Sequence, residues 1–222
     1  MNYKLITLSA LAFSASFALA APDEVRGFDA APLVAQDVQK FAQVHCPVLG
    51  NAVDESSQTI EFKGLFVRFC CPGCDVKFLA EPDTFFDKAS EENKAIAESM
   101  FDPVARVRVG REDAKASTVF GGVLYLFQSK ENLAKFQEFP GTYVEIPDRE
   151  SLKCPIMGTV MESHSLAVGY ADHKGVRYYF CCDGCDEKFL ADPDKAAASV
   201  VSAVKDASTG KAAPQGQTLA PT

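Results

Sequence analysis

Cys70-Cys71-Pro72-Gly73-Cys74-Asp75-Val76-Lys77-Phe78-Leu79-Ala80-Glu81-Pro82-Asp83 returns later in the chain as Cys181-Cys182-Asp183-Gly184-Cys185-Asp186-Glu187-Lys188-Phe189-Leu190-Ala191-Asp192-Pro193-Asp194. Each copy is preceded by one more cysteine in a Cys-Pro-x-x-Gly stretch, at Cys46 and Cys154. All eight cysteines therefore fall into two matching sets of four, an arrangement not expected of scattered core cysteines.

Outward from the cysteines the likeness continues. Lys63-Gly64-Leu65-Phe66-Val67-Arg68-Phe69 leads into the first block and Lys174-Gly175-Val176-Arg177-Tyr178-Tyr179-Phe180 into the second. Between them lies a third copy without thiols, Gly121-Gly122-Val123-Leu124-Tyr125-Leu126-Phe127 followed by Gln128-Ser129-Lys130-Glu131-Asn132-Leu133-Ala134-Lys135-Phe136. Aligned on Gly64, Gly122 and Gly175, the residues Phe69, Phe127 and Phe180 coincide, then Phe78, Phe136 and Phe189, then Pro82, Pro140 and Pro193. Gln128, Ser129 and Asn132 stand where the cysteines would be. Self-similarity at this interval is the mark of a tandem array.

Each unit carries the same local signals. Ile60-Glu61-Phe62 and Leu65 to Phe69 alternate around Lys63-Gly64, and Leu166 to Tyr170 faces Val176 to Phe180 across Asp172 to Gly175, so both predict β-hairpins. A short helix follows, with Pro72 in its first turn in unit one, Ser129 as N-cap in unit two and Asp183 as N-cap in unit three. Pro82, Pro140 and Pro193 stop each helix after about two turns. The shared Phe, such as Phe78, is expected to pack on the hairpin. A unit near fifty residues is small for a self-sufficient core, so a metal, a disulfide or packing between units must supplement it. Because the middle unit keeps the pattern without a thiol, sulfur is not required for the shape.

Of the 222 residues, 47% are hydrophobic and 23% charged, which is ordinary for a folded soluble protein. The first twenty residues predict an export signal: Lys4, an apolar run from Leu5 to Ala18, and Ala18-Leu19-Ala20 as a small-x-small cleavage site. Cleavage after Ala20 leaves 21 basic against 30 acidic residues, a net charge of −9, and no run of Lys or Arg. Nucleic acid and anionic lipid are excluded as expected partners. The apolar run is short for a membrane span, so a periplasmic or secreted product without a span is expected. Such compartments permit disulfides, which keeps cystine pairs open beside metal.

Cys70 and Cys74 have C-x3-C spacing, which shares one helix face, whereas Cys71 and Cys74 have the C-x2-C spacing of a metal knuckle. The Cys-Pro-x-x-Gly turn at Cys46 brings its sulfur to the same corner. The same holds for Cys154, Cys181, Cys182 and Cys185. A helix N-terminus there is expected to lower the thiol pKa values and ready the sulfurs for a soft or borderline ion.

Cys-Pro-x-x-Gly, a spacer, then aromatic-x-Phe-Cys-Cys-x-Gly-Cys-x-x-x-Phe-x-x-x-Pro resembles the YHS and TRASH family of small metal-binding domains. The resemblance covers Cys46 to Pro82 and Cys154 to Pro193 well, and about Asp102 to Tyr143 as a degenerate member. It implies treble-clef-like, zinc-finger-like units and heavy-metal handling, copper in particular. The second knuckle cysteine of such domains is replaced by Leu49 or Met157, and a vicinal Cys71 or Cys182 is added. Three thiolates, with or without the Met157 thioether, suit Cu(I), and four suit Zn(II); His45 is a further candidate in unit one, while His164 and His173 lack ligand spacing.

The expected protein is a small α+β tandem of zinc-finger-like units, each a β-hairpin followed by a short helix. Its expected segments are a signal peptide over 1–20, an arm over 21–40, unit one over 41–90, a linker helix over 91–100, unit two over 101–146, unit three over 147–197 and a disordered tail over 198–222. Its expected function is non-enzymatic binding or trafficking of zinc or copper(I) through Cys46, Cys70, Cys71, Cys74, Cys154, Cys181, Cys182, Cys185 and Met157, with an envelope protein as exchange partner. The alternatives are a disulfide-stabilised interaction module and, behind it, a thiol–disulfide exchange protein. The acidic residues around the helices, such as Asp83, Asp87, Glu91 and Glu92, are expected to be solvated faces.

Overall fold

The computed structural model describes residues 45–207 and 211–212, to which the statements below refer. The predicted signal peptide, the N-terminal arm and the last ten residues of the tail lie outside them. In chain order the elements are β1 (Gln58–Phe62), β2 (Leu65–Phe69), α1 (Cys74–Ala80), α2 (Pro82–Glu91), β3 (Ala97–Ser99), β4 (Phe101–Asp102), β5 (Val107–Arg108), β6 (Ala116–Phe120), β7 (Val123–Phe127), α3 (Lys130–Glu138), α4 (Pro140–Val144), β8 (Arg149–Ser151), β9 (Gly169–His173), β10 (Val176–Phe180), α5 (Cys185–Ala191), α6 (Pro193–Ala198), β11 (Lys205–Asp206) and β12 (Lys211–Ala212).

The hairpins β1–β2, β6–β7 and β9–β10 share one construction. Both turn residues have positive φ in each: Lys63 and Gly64, Gly121 and Gly122, Lys174 and Gly175. That is the mirror-image two-residue turn, whose twist matches the right-handed twist of the strands it joins. Gly64 has a second constraint, since a Cβ there would stand 3.1 Å from the Tyr179 hydroxyl.

The helices start later than the sequence predicts. Gly73 and Gly184, both left-handed, are the N-caps of α1 and α5, so Pro72 and Asp183 lie in the turn ahead of the helix. Only Ser129 caps as expected, its hydroxyl accepting from the Asn132 N–H at 3.1 Å. Each proline ends one helix and occupies the first position of a second, where its missing N–H costs nothing. The repeated phenylalanines are the core of each unit: Phe78, Phe136 and Phe189 are buried, with ring centroids 5.6, 5.3 and 5.5 Å from Phe69, Phe127 and Phe180.

Two mixed six-stranded sheets hold the three units, in the orders β12-β1-β2-β3-β7-β6 and β11-β8-β10-β9-β5-β4. The linker helix expected over 91–100 is not formed. Instead α2 ends at Glu91, and β3 lies between β2, antiparallel, and β7, parallel. Ala97, Glu98 and Ser99 are all buried there, so two open strand edges outweigh the local helical preference of the segment. After Met100 the chain passes directly into β4 of the second sheet. The expected disordered tail is also corrected in part, because β11 pairs with β8 and β12 with β1, each closing a sheet edge.

One buried charge cluster ties the two sheets together. His164 donates its backbone N–H to Glu61 Oε2 of β1 at 2.7 Å, while its Nε2 lies 2.7 Å from Glu150 Oε2 of β8. Lys205 Nζ stands 3.7 Å from the other Glu150 oxygen. Burial opposes charge on the ring, but the Glu150 and Glu61 carboxylates outweigh it and the His164 pKa rises. Burial likewise opposes charge on Glu61, yet its bonds to His164 and Ser165 hold its pKa below the usual carboxylate value.

A raised histidine pKa contributes stability below about pH 6.5 that is lost as pH climbs through the folded value; a depressed Glu61 contributes stability above about pH 4.3 that is lost as pH falls. Urea midpoints across pH are expected to fall on both sides of this window, and His164→Gln to remove the alkaline dependence specific to the wild type. His164→Leu, which leaves two buried carboxylates facing each other, is expected to cost about 3–5 kcal/mol.

Candidate metal centre

The site begins with a five-residue turn. Gly50 N–H donates to the Cys46 carbonyl at 2.9 Å and Gly158 N–H to that of Cys154 at 2.8 Å, with both glycines left-handed at φ 71 and 70. Cys46 N–H and Cys154 N–H then donate to Asn51 and Thr159 carbonyls at 2.8 and 2.9 Å. The closed turn points its cysteine sulfur inward, toward the residues that link the hairpin to the first helix.

There Cys46 meets Cys70 and Cys74, and Cys154 meets Cys181 and Cys185, with all three sulfurs of each set within 4.8 Å of one another. Each triad can hold a metal ion. Of the vicinal cysteines it is thus Cys70 and Cys181 that complete the sets. Cys74 opens α1 and Cys185 opens α5, so each triad takes one sulfur from the turn, one from the strand end and one from the helix. Cys71 and Cys182 stand beside the helix-borne sulfur instead: Cys71 Sγ lies 2.9 Å from Cys74 Sγ, and Cys182 is disulfide-bonded to Cys185. Met157 is 60% exposed on the turn, as is its counterpart Leu49 at 53%, and the triads are built without either. His45 is exposed and places Nδ1 3.1 Å from the Gly50 carbonyl.

The triad thiols were all expected to have lowered pKa values; the structure lowers that of Cys46 and raises those of Cys70, Cys74 and Cys181. Burial raises the Cys46 thiol, but N–H groups of Cys70, Leu49 and Val48 outweigh it and the net shift is downward. Partial burial and the neighbouring Cys46 and Cys71 thiols push Cys70 up, and Cys74 is pushed up by burial and the same neighbours. Cys181 rises through burial and Cys154, against a lowering hydrogen bond from Thr159. The reason is mutual: one thiolate accepting backbone N–H bonds makes a second thiolate beside it costly. A cation that binds must displace these protons. Cys46, Cys74, Cys154 and Cys185 are buried while Cys70 and Cys181 are partly exposed, so each triad is reached past one sulfur.

Unit two keeps the whole corner and exchanges its chemistry. Asp102-Pro103 occupies the place of Cys46-Pro47, and Arg106, left-handed at φ 60, donates its N–H to the Asp102 carbonyl at 2.7 Å as Gly50 does to Cys46. Asp102 Oδ1 accepts from Val104 and Ala105 N–H at 2.9 and 3.0 Å, and Oδ2 from Gln128 N–H at 2.9 Å. By alignment these are the donors that serve the Cys46 sulfur, namely Val48, Leu49 and Cys70. Asn132, at the Cys74 position, closes the set by donating Nδ2 to Asp102 Oδ2 at 2.8 Å. A carboxylate and an amide therefore stand where sulfurs stand in the other units. The sequence carried the signal in Asp102-Pro103, but only the Cys-Pro form of it was read as a site.

No family model matches the chain, and no curated protein or solved structure matches it.

Asp102→Ala is expected to leave several buried N–H groups unpaired, at about 1–3 kcal/mol each, and to lower the urea midpoint accordingly. Asp102→Cys with Gln128→Cys and Asn132→Cys is expected to build a further sulfur triad; elemental analysis of the reduced, zinc-loaded variant checks this as one additional ion per chain.

Proposed function

We infer that the protein is a metal-binding protein of the cell envelope that takes up and passes on a soft or borderline ion, copper(I) or zinc, through Cys46, Cys70 and Cys74 and through Cys154, Cys181 and Cys185. The observation that carries this is the sulfur triad, built twice on the same turn, strand end and helix start. Three thiolates match the low coordination of copper(I), and with zinc they leave a fourth position for a water or an incoming ligand. The partly exposed Cys70 and Cys181 give an exchange partner's thiol a point of entry, which favours transfer over permanent storage. Unit two, with a carboxylate and an amide in place of sulfurs, serves as structural spacer.

The order of turn, hairpin and helix is in keeping with treble-clef units, and with it the resemblance to YHS and TRASH domains. Export rests on the sequence of residues 1–20; among the described residues no helix is long and apolar enough to cross a membrane. A second reading, the disulfide-stabilised interaction module, is favoured by the Cys182–Cys185 bond. Against it stands unit two, which forms the same turn, hairpin and helix without any thiol.

Reduced protein titrated with Zn(II), or with Cu(I) under a competing chelator, is expected to bind two ions per chain, matching the two triads. Cys46→Ser and Cys154→Ser are each expected to weaken one site by more than about 100-fold, beyond the cost of losing an outer-shell partner. Because Cys70, Cys74 and Cys181 are held protonated, affinity is expected to rise with pH as those protons become easier to displace. Chelation is expected to leave far-UV circular dichroism essentially unchanged, whereas loss of the fold on chelation would mark a purely structural finger.

A further inference from the structure

The vicinal thiols left out of the triads have a position of their own. Cys71 and Cys182 sit three residues before Cys74 and Cys185, in the turn that leads into α1 and α5. The equivalent residue of unit two is Ser129, whose hydroxyl faces residue 132 and accepts its N–H at 3.1 Å. In all three units, then, this side chain is aimed at the residue three places on. In units one and three that residue is the helix-borne member of a sulfur triad, and the aim becomes a sulfur–sulfur contact: 2.9 Å between Cys71 and Cys74, and a disulfide between Cys182 and Cys185.

Cys74 and Cys185 therefore have two mutually exclusive uses. As a thiolate each supplies a triad with its third ligand; in a disulfide it has no charge to offer an ion. Accessibility orders the pair, because Cys71 and Cys182 are partly exposed whereas Cys74 and Cys185 are 3% and 1% exposed.

We propose that the Cys71–Cys74 and Cys182–Cys185 pairs are redox gates on the two metal triads, so that oxidation by a small disulfide such as oxidised glutathione releases the ion and reduction restores the site. The proposal rests on the metal-binding reading above and names its control. In the first step the Cys182 thiolate attacks one sulfur of the incoming disulfide, forming a mixed disulfide and expelling one thiolate. In the second, Cys185 gives up its metal–sulfur bond, attacks the Cys182 sulfur and expels the other thiolate. Two electrons pass from the cysteine pair to the small disulfide, which leaves as two thiols, one carrying the proton of Cys182 and the other a proton from water, because Cys185 would have lost its own on binding the ion. Cys154 and Cys181 remain as a two-sulfur remnant too weak to retain the ion. The same steps apply to Cys71, Cys74 and the remnant Cys46 and Cys70.

The test uses the full chain, reduced, loaded with Zn(II) alone and freed of excess metal. On addition of oxidised glutathione, a chromogenic chelator reports zinc release and peptide mapping reports the disulfides. The wild type is expected to release one zinc per disulfide formed, with Cys71–Cys74 and Cys182–Cys185 as the first bonds found. The double variant Cys71→Ser and Cys182→Ser is expected to hold the same two zinc ions, since neither residue belongs to a triad, and to release them at least about 10-fold more slowly, because its remaining accessible sulfurs, Cys70 and Cys181, are occupied as zinc ligands and no metal-free thiol is left to attack.

Release from the double variant at the wild-type rate overturns the gate while leaving the metal reading intact. Mapping that finds Cys46–Cys70 or Cys154–Cys181 first in the wild type does the same without relying on any variant. Loss of zinc binding in the double variant also overturns the gate, by making Cys71 and Cys182 ligands. A reduced wild-type chain that binds no zinc overturns the metal reading and the gate with it.

Discussion

In each repeat a tight turn, the end of a hairpin and the start of a helix meet at a buried corner, and the backbone N–H groups converging there must find an acceptor. The rest of the structure depends on how that demand is met. In unit one the Cys46 sulfur accepts from Val48, Leu49 and Cys70; in unit two the Asp102 carboxylate accepts from Val104, Ala105 and Gln128. One side-chain acceptor settles the corner in either case. What differs is the neighbour across from it, a thiol at Cys74 and an amide at Asn132. The amide donates directly to the carboxylate, whereas the three sulfurs of Cys46, Cys70 and Cys74 meet at a place that could hold a cation. The same backbone thus yields a closed structural corner or a sulfur triad that could hold an ion, according to three side chains.

This separation of fold from site extends through the molecule. Through the linking strand β3, the unit-two hairpin β6–β7 joins the sheet of unit one, and β4 with β5 of unit two joins the sheet of unit three, so unit two is the joint between the thiol-bearing units. The cores of all three are the phenylalanine pairs, and the sheets are tied by the Glu61, His164 and Glu150 cluster. None of these contacts uses a triad sulfur. Cys46, Cys74, Cys154 and Cys185 are buried in the same cores, yet unit two forms the frame of turn, hairpin and helix without any thiol.

The repeat, the hairpins, the paired phenylalanines and the corner cysteines were legible because each is written in residues close in sequence and written more than once. Ser129 declared its helix start, while Pro72 and Asp183 did not, since Gly73 and Gly184 in the left-handed conformation move the start to the cysteine. The segment 97–99 looked helical because its strand partners, β2 and β7, are distant in sequence, and burial between two edges decides what its own composition does not. His164 gave no ligand spacing, and it holds no triad position; its partners at 61 and 150 are brought to it only by the assembly of the units. The question of which vicinal cysteine joins each cage was undecidable from spacing, because it turns on where the helix begins.

In the proposed sites each ion is held by three sulfurs and no more. X-ray absorption at the zinc edge of the reduced, fully loaded chain measures this directly. Three sulfur scatterers per ion at about 2.3 Å, with a single light atom at about 2.0 Å, is the predicted result. Four sulfurs per ion would place Cys71 and Cys182 in the cage, and a shell of nitrogen and oxygen alone would remove the triads from it altogether.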